Sequence, residues 1–181
     1  MKNGIVIGVF RKEDYSFSKD AQEELTLVQG KGVVGDAHFG KLVKHRSRVA
    51  RNPNQPNLRQ VHLLPVELLE ELERKGYRVN PGELGENITT KGIDLIELPL
   101  GTLLEIGEDV SLGVTGLRDP CYQIDNFQKG LLSEVVFSDN EGNLILKAGI
   151  MTVVLKGGQI KPNDKIVIKL PPKPFKKLEI V

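Results

Sequence analysis

One cysteine, Cys121, occurs in the 181 residues. An internal disulfide, a zinc finger and an iron–sulfur cluster held by several thiolates are therefore all excluded. There is no tryptophan, and aromatic residues make up 5% of the chain. That is too few to interleave with bases along a nucleic-acid groove. No apolar run approaches the roughly 20 residues needed to span a bilayer. Residues 1–11 lack the tripartite pattern of a secretory signal. Nothing points to an oxidising compartment, so the sequence predicts a cytoplasmic protein with neither nucleic acid nor membrane as partner.

What is present supports one folded unit. Hydrophobic residues make up 39% of the chain and charged residues 27%, with a formal net charge of +1. A chain of this size buries enough apolar surface for one good core. The sequence predicts a single domain over residues 1–170 and a Pro/Lys-rich tail over 171–181, where Pro171, Pro172 and Pro174 rule out a central strand.

Acid is missing from one place in particular. Residues 37–66 contain Lys41, Lys44, Arg46, Arg48, Arg51 and Arg59 but no Asp or Glu. Six cations against a whole-chain charge of +1 leave −5 on the other 151 residues. The same window holds all three histidines, His38, His45 and His62, without HExxH spacing. Such a stretch is either a solvated basic loop or a site for a small anionic group such as phosphate.

Nineteen glycines and ten prolines imply many turns and short elements. Gly4 to Phe10 reads as a buried strand, and Ala21 to Gln29 as a strand or short helix. Arg59 to Leu64 is a strand. Pro65 then opens a helix whose apolar positions Val66, Leu68, Leu69 and Leu72 share one face, ending at Gly76. From Pro81 onward the pattern is short strands and turns, with Glu86 to Thr90, Leu103 to Ile106, Val110 to Thr115, Ala148 to Lys156 and Lys165 to Leu170 the clearest. Gly30-Lys31-Gly32-Val33-Val34-Gly35 matches G-x-G-x-x-G but does not open a helix, so these are turn glycines. Many short strands with one clear helix predict a mainly β, α+β fold: a β-barrel with a few peripheral helices.

The cysteine lies in Thr115-Gly116-Leu117-Arg118-Asp119-Pro120-Cys121-Tyr122. Asp119 and Pro120 resemble a helix cap and first helical residue, which would put Cys121 in a first turn. There the free N–H groups and Arg118 favour a thiolate, the form required of a nucleophile, a persulfide carrier or a soft-metal ligand. The opposing reading is a buried structural cysteine.

These segments together resemble a MOSC domain, the domain named after the C-terminal part of molybdenum cofactor sulfurase. The matching pieces are Gly32 to Gly40 (GVVGDAHFG), Arg59 to Leu64, Pro81 to Leu95 (PGELGENITTKGIDL), Leu98 to Gly107, Thr115 to Cys121, Ala148 to Ile150, Val154 to Gly158 and Asp164 to Ile166, in the family's order. The resemblance implies a β-barrel fold and binding of the molybdenum cofactor (molybdopterin), a pterin dithiolene carrying a phosphate. It implies Cys121 as catalytic residue and molybdenum ligand. Gly35, Asp36, His38, Asn87, Thr115 and Arg118 fall on family motif positions. Lys44 and Arg46, in the acid-free window, are the candidates to meet the cofactor's phosphate. The expected function is an oxidoreductase acting on N-hydroxylated or related small substrates. Lacking a flavin or iron–sulfur module, it would take electrons from a separate reductase. The alternative is a persulfide carrier or cofactor-handling protein in molybdenum-cofactor or metal–sulfur cluster assembly, charged by a cysteine desulfurase. The segment Lys41 to Leu58 is longer and more basic than the compact loop the resemblance implies, which fits either a substrate entrance or a partner's docking site.

Overall fold

The structure, a computed structural model, describes residues 3–181. The chain runs β1 (Gly4–Arg11), β2 (Asp20–Gln22), β3 (Leu25–Val28), β4 (Gly32–Val33), α1 (Arg46–Arg51), β5 (Val61–Pro65), α2 (Val66–Arg74) and β6 (Ile88–Lys91). It continues through β7 (Leu103–Ile106), β8 (Val110–Leu117), α3 (Gln123–Phe127), α4 (Leu131–Val135), β9 (Val136–Ser138), β10 (Leu144–Leu146), β11 (Ile150–Lys156), β12 (Gly158–Ile160) and β13 (Lys165–Lys169). Seven strands form a barrel in the order β13-β7-β8-β11-β5-β6-β1, closed by antiparallel pairing of β1 with β13. The fold is therefore mainly β with four short helices, as the sequence predicts. Closure removes free sheet edges, leaving β2 appended to β1 and two small satellite sheets.

Strand alternation fills the barrel. On β7, Leu104 and Ile106 point inward and meet Ile168 and Ile166 of β13 and Leu112 and Val110 of β8. The segment read as strand or helix over 21–29 is two strands, β2 and β3; β3 pairs with β12 outside the barrel wall. In β5, Val61 and Leu63 enter the barrel core, whereas Leu64 packs outside it. There Leu64 joins Leu68, Leu69 and Leu72 of α2, with Ile124 and Leu131 from α3 and α4, in a second apolar cluster. Helix α2 follows Pro65 and its chain turns at Gly76 with φ +91°, matching the reading from Pro65 to Gly76. His62 lies between two core residues of β5, so the same alternation turns it to the outer face.

Residues 171–181 do not hang free. Leu117 N donates to Glu179 O, Leu100 N donates to Lys176 O, Ile180 bridges Leu117, and Leu178 packs on the barrel core.

Gly149, which leads into β11, has φ +87°, and a Cβ there would land on the Leu63 carbonyl oxygen and 2.9 Å from His62 Nε2. Gly149→Ala is expected to cost about 2–5 kcal/mol through left-handed backbone strain and overpacking. Denaturant unfolding checks this; an unchanged midpoint would contradict it.

Candidate functional site

A cavity of about 400 Å³ opens on the outer face of the barrel, where His62 from β5 and Met151 from β11 form its floor. That volume lies within the roughly 300–1,000 Å³ of small-molecule and cofactor sites. Tyr15, Phe17 and Lys19 from the β1–β2 connection form one wall, and His38, His45 and Arg46 from the acid-free window another. Gly85, Asn87, Arg59, Arg118, Asp119, Cys121 and the 71% exposed Tyr122 complete it.

Asp36, buried just behind the wall, organises it. Its carboxylate accepts from Lys19 Nζ at 2.6 Å, Asn87 Nδ2 at 2.9 Å and the His38 backbone N–H at 3.0 Å, and lies 3.1 Å from His38 Nδ1. Burial pushes this carboxyl up, but hydrogen bonds from His38 and the Lys19 ammonium outweigh it and hold Asp36 well below the usual carboxylate range. Burial pulls Lys19 down, opposed by Asp36. Asn87 ties three elements together: its Nδ2 also donates to Phe10 O on β1, and its Oδ1 accepts the His62 N–H on β5. With Nδ1 against Asp36, the His38 ring stacks on His45 at 4.2 Å between centroids and 30° between planes.

The remaining lining is cationic and short of partners. Arg59 Nε, Arg118 Nη1 and His45 Nδ1 are buried without a hydrogen-bond partner. A buried unsatisfied polar atom costs about 1–3 kcal/mol, more when charged, so the two guanidinium nitrogens beside one cavity mark a place for acceptor groups, while the neutral His45 Nδ1 donates or accepts according to its tautomer. Burial, with neighbouring Arg48 and Arg118, pushes Arg59 down to about 10, still a cation at neutral pH. Burial, with His38, Arg59, Lys19 and Arg118, pushes His45 down to about 2, leaving it neutral. His62 is held well below the imidazole range by burial and by Arg118, against the carbonyls of Ala148 and Gly85. Burial raises Glu86, whose Oε1 accepts from Gly82 N and Thr89 Oγ1 while Oε2 is unpartnered. Asp119 lies close enough to favour the charged form of both Arg59 and Arg118, and buried Glu86 does the same for Arg118.

Cys121 is half-buried, with Sγ 3.4 Å from Gln123 Oε1. The helix expected from Pro120 begins at Gln123 instead, so Cys121 precedes it rather than occupying its first turn. The physical reason is that the barrel holds the chain extended further: Arg118 N donates to Gly149 O at 3.0 Å. Asp119 turns toward Arg48, at 3.8 Å, instead of capping. The cations facing the sulfur are thus side chains, not helix N–H groups.

Of the residues expected from sequence, His38, Arg46, Asn87, Arg118 and Cys121 line the cavity. Asp36 lies behind it. Gly35 is in the turn before Asp36 at φ +75°, where a Cβ would meet the Arg11 guanidinium. Thr115 Oγ1 lies 2.6 Å from Leu58 O and 2.9 Å from Met151 O, within the wall. Lys44 is exposed, outside the lining. Lys19, Tyr15 and Phe17 escaped the sequence reading; the mixed-charge stretch around them gives no local sign that Lys19 is buried.

Among curated proteins no match was found. Solved structures share the fold. YuaD from Bacillus subtilis is 24% identical with a TM-score of 0.76, covering 94% of this chain and 97% of that one. YiiM from Escherichia coli is 18% identical with a TM-score of 0.63, covering 97% and 74%. YiiM from Geobacillus stearothermophilus is 16% identical with a TM-score of 0.58, covering 96% and 77%. The family model of the MOSC domain matches residues 35–167, a span that takes in Asp36, His38, Asn87, Arg118 and Cys121. The chain belongs to the MOSC domain family.

Proposed function

We propose that this protein binds the molybdenum cofactor in the cavity and is an oxidoreductase acting on N-hydroxylated or related small substrates, with Cys121 as a ligand of the molybdenum. The observation that carries the reading is one thiol set in a cavity whose Arg59 and Arg118 keep buried, unpartnered nitrogens. An anionic group bearing a sulfur-ligated metal would satisfy both: the guanidinium groups would hold phosphate or other oxygens, and the Cys121 sulfur would hold the metal. Among the described residues no three His, Cys, Asp or Glu side chains gather to hold a metal. The metal would therefore arrive with its own ligands and take Cys121 as one more.

When bound, the cofactor supplies two-electron redox chemistry at the molybdenum. The chain's own residues do the rest. Arg59, Arg118 and Lys19 set a positive potential that favours an anionic ligand and lose little to rearrangement, being already held by packing. Asp36 fixes Lys19 and the His38 ring, so His38 presents Nε2 rather than Nδ1 as its free nitrogen. The Arg118 guanidinium lies over the Phe17 ring, 5.9 Å from its centroid, a cation–π contact that favours its present position.

The test is molybdenum and pterin quantification on protein made in a cofactor-competent host. Loss of even a supporting partner typically costs 10–100-fold in metal affinity, so Cys121→Ser is expected to retain at least about tenfold less molybdenum than wild type. Equal retention by the two, or none by wild type, would overturn the assignment. A persulfide on wild-type Cys121 in metal-free protein would turn it to the carrier reading.

A second prediction concerns Asp36. Its folded value is depressed, so its stabilisation is present above the ordinary value of about 3.9 and is lost as pH falls through the lower folded value. Asp36→Asn leaves the Lys19 ammonium buried without its counter-ion and is expected to cost about 3–5 kcal/mol at neutral pH. The deficit against wild type should shrink as pH falls below about 4, and Lys19→Met should restore part of it in the double variant. Urea unfolding across pH checks both; a pH-independent deficit, or strictly additive losses, would contradict the pairing.

A further inference from the structure

The acid-free window folds as an arm with a fixed base and a lightly held tip. At the base Leu42 bridges Pro56, Val43 N donates to Gln55 O, and Asn57 N donates to Lys41 O. The Asn57 side chain donates to the carbonyls of His38 and Gly40, at 2.9 and 3.0 Å, and Val43 is buried. Beyond this clamp the chain forms α1, in which no residue is buried. A six-residue helix without a buried side chain has no core packing to hold it in place. Its start nonetheless builds the site: His45, Arg46 and Ser47 line the cavity.

The tip touches both sides of the cavity mouth. On one side the His45 ring stacks on His38, and the Arg46 guanidinium lies over the Tyr15 ring, 5.0 Å from its centroid. On the other side Arg48 Nη2 donates to the Val181 carbonyl at 3.3 Å. The same nitrogen lies 3.8 Å from Oδ2 of Asp119, two residues before Cys121. Parting these contacts returns charged and aromatic groups to water and takes no α1 side chain out of the core. Such a segment opens at far lower cost than the barrel beneath it.

We infer that residues 44–54 are a lid over the cavity, hinged at its clamped base and latched shut by Arg48. Closed, the lid sets His45, Arg46 and Ser47 against the cavity that holds Cys121, and limits the water that reaches it. Open, it admits a ligand too large for the closed mouth. The lid regulates the site of the proposed function and rests on that cavity being the ligand site, but not on the metal or the reaction.

Cys121 reports the opening, because it is the chain's one cysteine and lies in the cavity lining. Metal-free full-length protein is alkylated with N-ethylmaleimide and with N-(1-pyrenyl)maleimide, both uncharged, and mass spectrometry follows each rate. The ratio of the bulky to the small rate cancels the thiolate fraction and reads access. In wild type this ratio should lie at least about tenfold below that of the urea-unfolded chain, since most molecules are closed. Arg48→Ala should raise it at least about fivefold, the shift in population that follows loss of one hydrogen-bonded contact. Arg48→Lys should restore most of the closure, and Arg51→Ala, at an exposed position of the same helix, should leave the wild-type ratio unchanged. A wild-type ratio equal to that of the unfolded chain, or an Arg48→Ala ratio equal to that of wild type, overturns the lid. So does an equal rise in Arg51→Ala, since loss of any α1 cation would then have the same effect. Equal molybdenum retention by wild type and Cys121→Ser would sink the metal assignment without altering these ratios, so the two failures are distinct.

Discussion

Uncompensated positive charge behind a protein surface is the constraint around which this molecule is arranged. Arg59, Arg118 and Lys19 converge on one cavity, and two carboxyl groups, Asp36 and Glu86, are buried near them. Desolvating a guanidinium is expensive, and a chain tolerates it where something else repays the cost. Part of the repayment is internal: Asp36 neutralises Lys19, and His45 and His62 stay uncharged. The rest is open, because Arg59 Nε and Arg118 Nη1 have buried nitrogens and nothing to give them to. On the proposed reading, a ligand with acceptor oxygens would close that account, and the half-buried Cys121 beside it would meet a thiolate-binding metal.

The barrel makes such an arrangement possible. A closed seven-strand wall keeps its apolar residues inside, so the outward positions of β5 and β11 are free to carry His62 and Met151 as a rigid floor. Asn87 joins β1, β5 and Asp36 through its amide, coupling the wall to the charge network. Arg118 continues the ladder of β8 through Gly149 and is thereby placed before the chain turns at Cys121. The residues that line the cavity are thus mounted on strands or on loops pinned to strands, an arrangement that would limit reorganisation on binding.

What could be read from the sequence follows from which forces are local. Alternation over β8 and β11 and the apolar stripe of α2 reflect burial on one face, a pattern carried by neighbouring residues, and both were legible. Strands of two to four residues such as β2, β4 and β12 are too short to show a period, and α1 has no buried face to reveal it. The Asp119-Pro120 pair has the chemistry of a helix start, but the pull of β11 on Arg118 and of Arg48 on Asp119 outweighs a cap. Cys121, His38, Asn87 and Arg118 could be picked out because motif residues surround them. Lys19 could not, since its burial is created by Asp36, seventeen residues away, and by the fold that joins them.

X-ray absorption at the molybdenum edge of cofactor-loaded protein addresses the central claim most directly. The account predicts one more sulfur around the metal in wild type than in Cys121→Ser, the protein thiolate added to the pterin's own pair. The same sulfur count in both proteins would contradict it.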